Sequence, residues 1–242
     1  MGRGSVQEGQ SIAGVINIYK EKGYTSHDVV AIIRRMLREK FGKIKVGHTG
    51  TLDPQAEGVL PICVGKATKM AAFITAENKS YKAELLLGLT TDTGDHTGAI
   101  LTGKLPDASD PGFPEDLVQA AIKSFIGGYQ QIPPMYSAIK IGGKKLYELA
   151  RQGKQIERQP RFVEITRIDI LEINNNRIWL DIDCGKGTYI RSLCEDIGAK
   201  LKTGGCMGDL IRTKSGQYTI NTAKKLSEIE QMIKKDSWDF VI

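Results

Sequence analysis

The stretch from 46 to 60, Val-Gly-His-Thr-Gly-Thr-Leu-Asp-Pro-Gln-Ala-Glu-Gly-Val-Leu, constrains this chain more than any other. It sets three glycines, two threonines, a histidine and an Asp-Pro pair between short apolar runs. It has neither the 3.6-residue period of a helix nor the alternation of a strand, so it reads as a structured loop. Gly47, Gly50 and Gly58 permit backbone angles or close approaches that a Cβ would forbid. Pro54 drives Asp53 out of the helical region, which limits where its carboxylate can point. Such a loop either presents that acid or uses it to open a turn, a common role for Asp before Pro.

The chain has 242 residues, enough to bury a full core as one large domain or a domain with an appendage. Its hydrophobic share, 40%, is that of ordinary globular proteins, and no apolar run approaches the roughly 20 residues that span a bilayer. The polar start, residues 1–12, reads as a flexible tail without an export signal, so a cytoplasmic location is expected. Cys63, Cys184, Cys194 and Cys206 form no C-x-x-C pair and read as free buried thiols. With three histidines and no metal-binding motif, no metal ion is expected.

A net charge of +6 favours a polyanionic partner, and its distribution sharpens the point. Residues 139–161 hold Lys140, Lys144, Lys145, Arg151, Lys154, Arg158 and Arg161 against Glu148 and Glu157. A charge run is usually a solvated helical face. This one follows glycines and tyrosines, which suits a mobile arm on nucleic acid.

In chain order, Val15 to Tyr19 reads as a strand. Ser26 caps a helix with Val29, Val30, Ile33, Leu37 and Phe41 on one face. A buried strand is expected over 60–64, a helix from Gly65 through Ile74, and a strand over 79–88. Pro114 and Gly127 bracket a helix with Leu117, Ala121, Ile122 and Phe125 inward. Strands over 161–173 and 177–184 meet at an Asn174-Asn175-Asn176 turn. A helix over 190–201 follows, then a last strand over 206–219, and a closing helix capped by Thr222. Two motifs fail. Asp92-Thr93-Gly94 has no second copy with which to share a proton, and Gly98 to Lys104 ends in Leu105 where a phosphate loop needs Ser or Thr. Arg191 stands in the first turn of its helix, where a cation faces the positive dipole end at a cost of a few tenths of a kcal/mol or more unless an acid compensates.

Six separated motifs across residues 13–220 resemble the bacterial TruB family of tRNA pseudouridine-55 synthases. They are Gly47-His-Thr-Gly-Thr-Leu-Asp-Pro54, Tyr81 in its strand, Thr91-Asp-Thr-Gly-Asp95, the run Gln131 to Gly153, Thr188-Tyr-Ile-Arg-Ser-Leu193, and Leu210-Ile-Arg-Thr-Lys-Ser-Gly216. The resemblance implies an α+β pseudouridine synthase fold: a mixed, mostly antiparallel central sheet flanked by helices, with an RNA-binding arm inserted at about 129–160. It implies one catalytic domain over 13–242. The chain stops before a full C-terminal PUA domain, so a short member or a fragment is expected.

By resemblance, Asp53 is the catalytic carboxylate, Arg191 its ion-pair partner, and Tyr81 the ring that stacks on the target base. His48 fills the gap that the base leaves in the RNA; its alternative is a loop histidine bonded to its own backbone. Tyr189 adds a second contact and Leu210 lines the base pocket, while Asp95 helps position the arginine. Lys20, Lys140, Lys144, Lys145 and Arg151 belong to the RNA-binding set. The family shows Lys-Pro-x-Gly where this chain has Lys20-Glu21-Lys22-Gly23, a departure expected to loosen that turn. The implied reaction isomerises uridine to pseudouridine at position 55 in the T-loop of tRNA. It needs no cofactor, and a monomer binding the T-loop and stem is expected. Two other readings are weighed: a non-catalytic tRNA-binding or folding protein on the same scaffold, and a glycosidase. The second needs a pair of acids at set separation, and none is evident.

Overall fold

A computed structural model describes residues 12–107 and 109–241, so the tail expected over residues 1–12 lies almost wholly outside the described residues. The described residues fall into two compact units, one of those up to 77 and from 211 onward, the other of those between 78 and 210.

The first unit opens with β1 (Gly14–Lys20) and α1 (Ser26–Phe41). The expected cap moves by one residue. Thr25 caps α1, its Oγ1 accepting from the Asp28 N–H at 3.0 Å while Asp28 accepts the Thr25 N–H at 2.8 Å. That reciprocal pair closes the first turn and frees Ser26 for another task. Val29, Val30, Ile33 and Leu37 turn inward, while Phe41 is half-buried. Burying those four side chains contributes roughly 6–12 kcal/mol before the entropy of ordering them.

Then come β2 (Val46–His48), β3 (Glu57–Val64), a 3-10 turn (Gly65–Met70) and the short helix α2 (Ala71–Thr75). The stretch expected to be loop throughout is therefore strand at both ends. β2 pairs antiparallel with β3 from Val46↔Val64 to His48↔Ile62, which leaves 49–56 as the loop. β1 lies antiparallel along the other edge of β3, from Gly14↔Val64 to Lys20↔Gly58.

The second unit begins with β4 (Lys79–Leu87) and a hairpin of β5 (Leu89–Thr91) and β6 (Ile100–Gly103). α3 (Glu115–Lys123) buries Val118, Ala121 and Ile122. Leu117, expected inward, is 58% exposed. Its i+1 neighbour Val118 takes the core-facing register with Ala121 and Ile122. β7 (Tyr129–Gln131) leads to a small hairpin of β8 (Lys140–Ile141) and β9 (Lys144–Lys145), then α4 (Leu146–Ala150). β10 (Arg161–Val163) pairs with β7, and β11 (Ile165–Asn174) with β12 (Arg177–Cys184) around Asn175 at φ 53°.

α5 (Ile190–Leu201) buries Ile190, Leu193, Cys194 and Ile197 and packs on α3 and β4. β13 (Gly205–Ser215) completes a sheet of order β13-β4-β12-β11 in this unit. The C-terminal end of β13 belongs to the first unit and pairs parallel with β3, Ile211↔Glu57 and Arg212↔Gly58. The expected last strand breaks at Gly216, φ 59°, before β14 (Tyr218–Thr219). α6 (Leu226–Lys234) closes the chain with Lys225, not Thr222, at its N-cap position. Thr222 instead accepts a bond from Asn17 at 2.8 Å. The sheets are mixed and mostly antiparallel, with helices against them. Among the described residues no helix is long and apolar enough to cross a membrane.

Candidate active site

The loop 49–56 in the first unit is held by side chains aimed at its backbone. Ser26 Oγ accepts the Leu52 N–H at 2.8 Å and donates to the Leu52 carbonyl at 2.9 Å, clamping both polar groups of the residue before Asp53. The Asp53 carbonyl accepts from Ala56 N–H at 3.1 Å. The Pro54 carbonyl accepts from Gly23 N–H at 2.9 Å and from Lys20 Nζ at 3.2 Å. Residues 52–54 thus have one backbone arrangement to offer, and Asp53 is half-buried within it.

Lys20, expected by resemblance in the RNA-binding set, is turned inward. Its side chain is 0% exposed, and Nζ donates to the carbonyls of Glu21, Tyr24 and Pro54. An ammonium has three protons, so these three acceptors use its whole capacity. Burial pushes its pKa down to about 8, while Asp53 and Glu57 pull it back up and Arg212 adds to the depression. The turn expected to be loose without proline is therefore stapled by Lys20 itself.

Arg212 is the residue that sequence reasoning missed. It is 1% exposed, with Nε donating to the Val59 carbonyl at 2.7 Å and one terminal nitrogen to the Gly50 carbonyl at 3.1 Å. It braces the loop's entrance and its exit strand together. Gly58, φ +106°, lies so close that a Cβ there would stand 2.2 Å from the Arg212 carbonyl oxygen. Gly50 also needs its positive φ of +132°; Gly47 has neither a positive φ nor a neighbour within 4 Å of a built Cβ, against expectation. The signal for Arg212 is a basic residue two positions after Leu210, in step with the buried side of its strand, at a spot where such strands carry apolar side chains.

His48 accepts the Gly50 N–H at Nδ1, 3.3 Å away, and meets His27 edge-on with ring centroids 5.2 Å apart. Burial, then the neighbouring charges of His27 and Arg212, pull its pKa down to about 4, so it is a neutral ring at pH 7.

Tyr81, Asp95, Tyr189, Arg191 and Leu210 all belong to the second unit. Arg191 is 6% exposed on the first turn of α5, which has no acidic residue there. Its guanidinium donates to the Thr93 carbonyl at 3.0 Å and the Tyr136 carbonyl at 2.8 Å. The first acceptor lies on the loop that Asp95 organises. Asp95 Oδ1 accepts from Thr93 Oγ1 at 3.0 Å, Thr97 N–H at 3.0 Å and Thr97 Oγ1 at 2.6 Å. The second lies in the inserted arm. Gln131, 1% exposed, donates to the Tyr189 carbonyl at 3.1 Å and accepts its N–H at 2.8 Å, reading both sides of that peptide. Tyr81 on β4 and Leu210 on β13 are both buried.

The arm is more ordered than its composition predicts. Gly142 and Gly143 at positive φ turn the Lys140–Lys145 hairpin, and Met135, Leu146 and Leu149 form a small core of their own. Lys140, Lys144 and Arg151 are exposed. The side-chain charges of Lys145 and Arg151 both lie over the Tyr147 ring, 5.3 and 5.5 Å from its centroid. All four cysteines are free and buried, and burial pushes Cys184 up to about 11 and Cys206 to about 12, so they are inert thiols. Among the described residues no group of His, Cys, Asp and Glu is placed to hold a metal ion.

Two family models match the chain: the TruB family pseudouridylate synthase N-terminal domain over residues 34–190, and the tRNA pseudouridylate synthase B C-terminal domain over 191–239. The chain is 52% identical over 219 residues to tRNA pseudouridine synthase B of Alkaliphilus oremlandii, covering 90% of this chain and 70% of that protein. It is 51% identical over 218 residues to the protein of that name from Clostridium tetani, covering 90% and 73%. Among solved structures it resembles a chain of a Cbf5-Nop10-Gar1 complex at 32% identity and a TM-score of 0.69. The match covers 92% of this chain and 56% of that one, so this chain spans little more than half the length of that relative. A chain of an H/ACA RNP bound to a substrate RNA matches at 28% identity and a TM-score of 0.68.

Proposed function

Because the chain belongs to the TruB family of pseudouridylate synthases, we propose that it isomerises uridine to pseudouridine in tRNA, at the T-loop uridine of position 55. The curated relatives that cover 90% of the chain carry the name tRNA pseudouridine synthase B, which supports tRNA as substrate. The observation that carries the reading is the clamp on residues 52–54. A carboxylate whose flanking peptides are bonded to Ser26, Lys20 and Gly23 is presented before substrate arrives, which avoids reorganisation at the moment of reaction.

The reaction breaks the N1–C1′ bond, turns the uracil and rejoins it through C5. The C5 proton leaves and N1 gains one, so no electrons are exchanged. That chemistry asks for an ionised carboxylate beside the nucleoside, and Asp53 is assigned that part. Arg191 is its counterion in the substrate complex, since an adjacent guanidinium offsets the cost of keeping an acid charged away from water. A base in a folded RNA loop has to be extruded to reach such a site. Tyr81 stacks on the extruded uracil, Tyr189 and Leu210 bound it, and neutral His48 fills its place in the RNA. Asp95 sets the loop that carries Thr93, an acceptor of Arg191. Lys140, Lys144, Lys145 and Arg151 grip phosphates. Lys20, its three protons on the carbonyls of Glu21, Tyr24 and Pro54, supports the Asp53 loop.

Tritium release from tRNA labelled at uracil C5 tests the reading. Release by this protein, with the modified position mapped to 55 and rates unchanged by EDTA, is expected. Binding of tRNA without release would favour the folding protein on the same scaffold.

A further inference from the structure

The first unit carries a second basic feature, apart from the arm. A cavity of about 570 Å³ opens between the C-terminal end of α1, the segment 43–45 and the 3-10 turn that follows β3. Lys43, Lys45, Lys66 and Lys69 line it, all exposed, over partly buried Phe41 and Ile44. No carboxylate lines the cavity, and none of the four lysines makes an ion pair among the described residues.

The walls are built rather than draped. Lys45 precedes β2 and Lys66 follows β3, and those strands are paired at Val46↔Val64. The Gly65 N–H donates to the Lys45 carbonyl at 2.8 Å, and Thr68 Oγ1 caps the Gly65 carbonyl at 2.8 Å. Gly65, φ +59°, lies where a Cβ would stand 2.2 Å from the Ile12 carbonyl oxygen. The lysine-bearing segments are thus tied to each other, and four like charges are held around one concavity. That arrangement carries a repulsive cost which a bound anion relieves, and a cleft lined by one sign of charge concentrates counter-ions.

We propose that this cavity binds the phosphate backbone of the substrate RNA, with a ribose or base against Phe41 and Ile44. Its volume falls in the range that holds a small molecule of nucleotide size, more than a bare phosphate needs. It lies at the Val46 end of β2, whereas the Asp53 loop leaves the His48 end, so this contact is separate from the one that handles the reacting base. The inference rests on RNA being the substrate.

The test compares two double variants that remove equal charge from the same unit: Lys45→Gln with Lys66→Gln, and Lys234→Gln with Lys235→Gln. Binding of intact tRNA is measured by fluorescence anisotropy across salt concentrations, with folding checked by thermal melting. The cavity pair is expected to weaken binding at least about tenfold at low salt and to flatten the slope of log affinity against log salt by roughly 1–2, at about 0.7–0.9 per phosphate contact. The α6-end pair is expected to leave both near the wild type. Equal effects from the two pairs, or none from the cavity pair, overturn the proposal. Inorganic phosphate raising the melting temperature of the wild type but not of the cavity pair, with tRNA affinity the same in both, reassigns the cavity to a free anion and also overturns it. Because binding is read without turnover, a wild type that binds tRNA but releases no tritium refutes the catalytic reading and leaves this one standing.

Discussion

Ser26 shows how much one hydroxyl can do at a site it never enters. Its Oγ is buried and takes both polar groups of Leu52. Ser26→Ala leaves a buried N–H and a buried carbonyl unmet, each worth about 1–3 kcal/mol. Denaturant unfolding should show a loss of about 2–6 kcal/mol for the two together, and turnover should fall more than KM rises, because the loop's presentation is altered and not its grip on RNA. A KM effect alone would assign Ser26 to binding. His48 gives a pH signature. Its folded pKa of about 4 lies below the 6.5 of an unfolded histidine, so between those values the unfolded chain binds the extra proton. Stability contributed by neutral His48 is present above about pH 6.5 and is lost as pH falls towards 4. His48→Gln should flatten that part of the stability profile, and an unchanged profile would contradict the assigned neutral state.

At the scale of elements, the close crossing of β3 over β13 is the most demanding joint. Gly58→Ala forces a Cβ against the Arg212 carbonyl at a positive φ, with an expected cost of roughly 2–5 kcal/mol from strain and overpacking together. Urea unfolding measures it; a loss below 1 kcal/mol would mean the crossing has slack. Elements with a clear period were legible beforehand: β1, α1, α5 and the β11–β12 turn lie where apolar spacing and the asparagines put them. What was not legible depended on partners remote in sequence. Thr25 is set apart from Ser26 as a cap only by Asp28 three residues on, and Leu52 occupies Ser26. Leu117 and Val118 are both apolar, and only the packing of α3 chooses between them. Lys20 reads as a surface cation until three carbonyls surround it, and Arg212 as one more basic residue until Val59 and Gly50 meet it. The arm's composition suits a mobile arm, because a hairpin with a three-residue core is below what composition can signal.

For the whole molecule, a net charge of +6 favours a polyanionic partner. Neutralising Lys144, Lys145 and Arg151 together should raise the dissociation constant for tRNA and flatten its salt slope by roughly 2–3; an unchanged slope would place the RNA away from the arm. The most direct test is tritium release from C5-labelled tRNA by Asp53→Asn, a change of one oxygen for one amide. Turnover should fall at least about 100-fold while tRNA affinity stays within a few-fold of the wild type. Release at the wild-type rate would remove Asp53 from the chemistry and contradict the account.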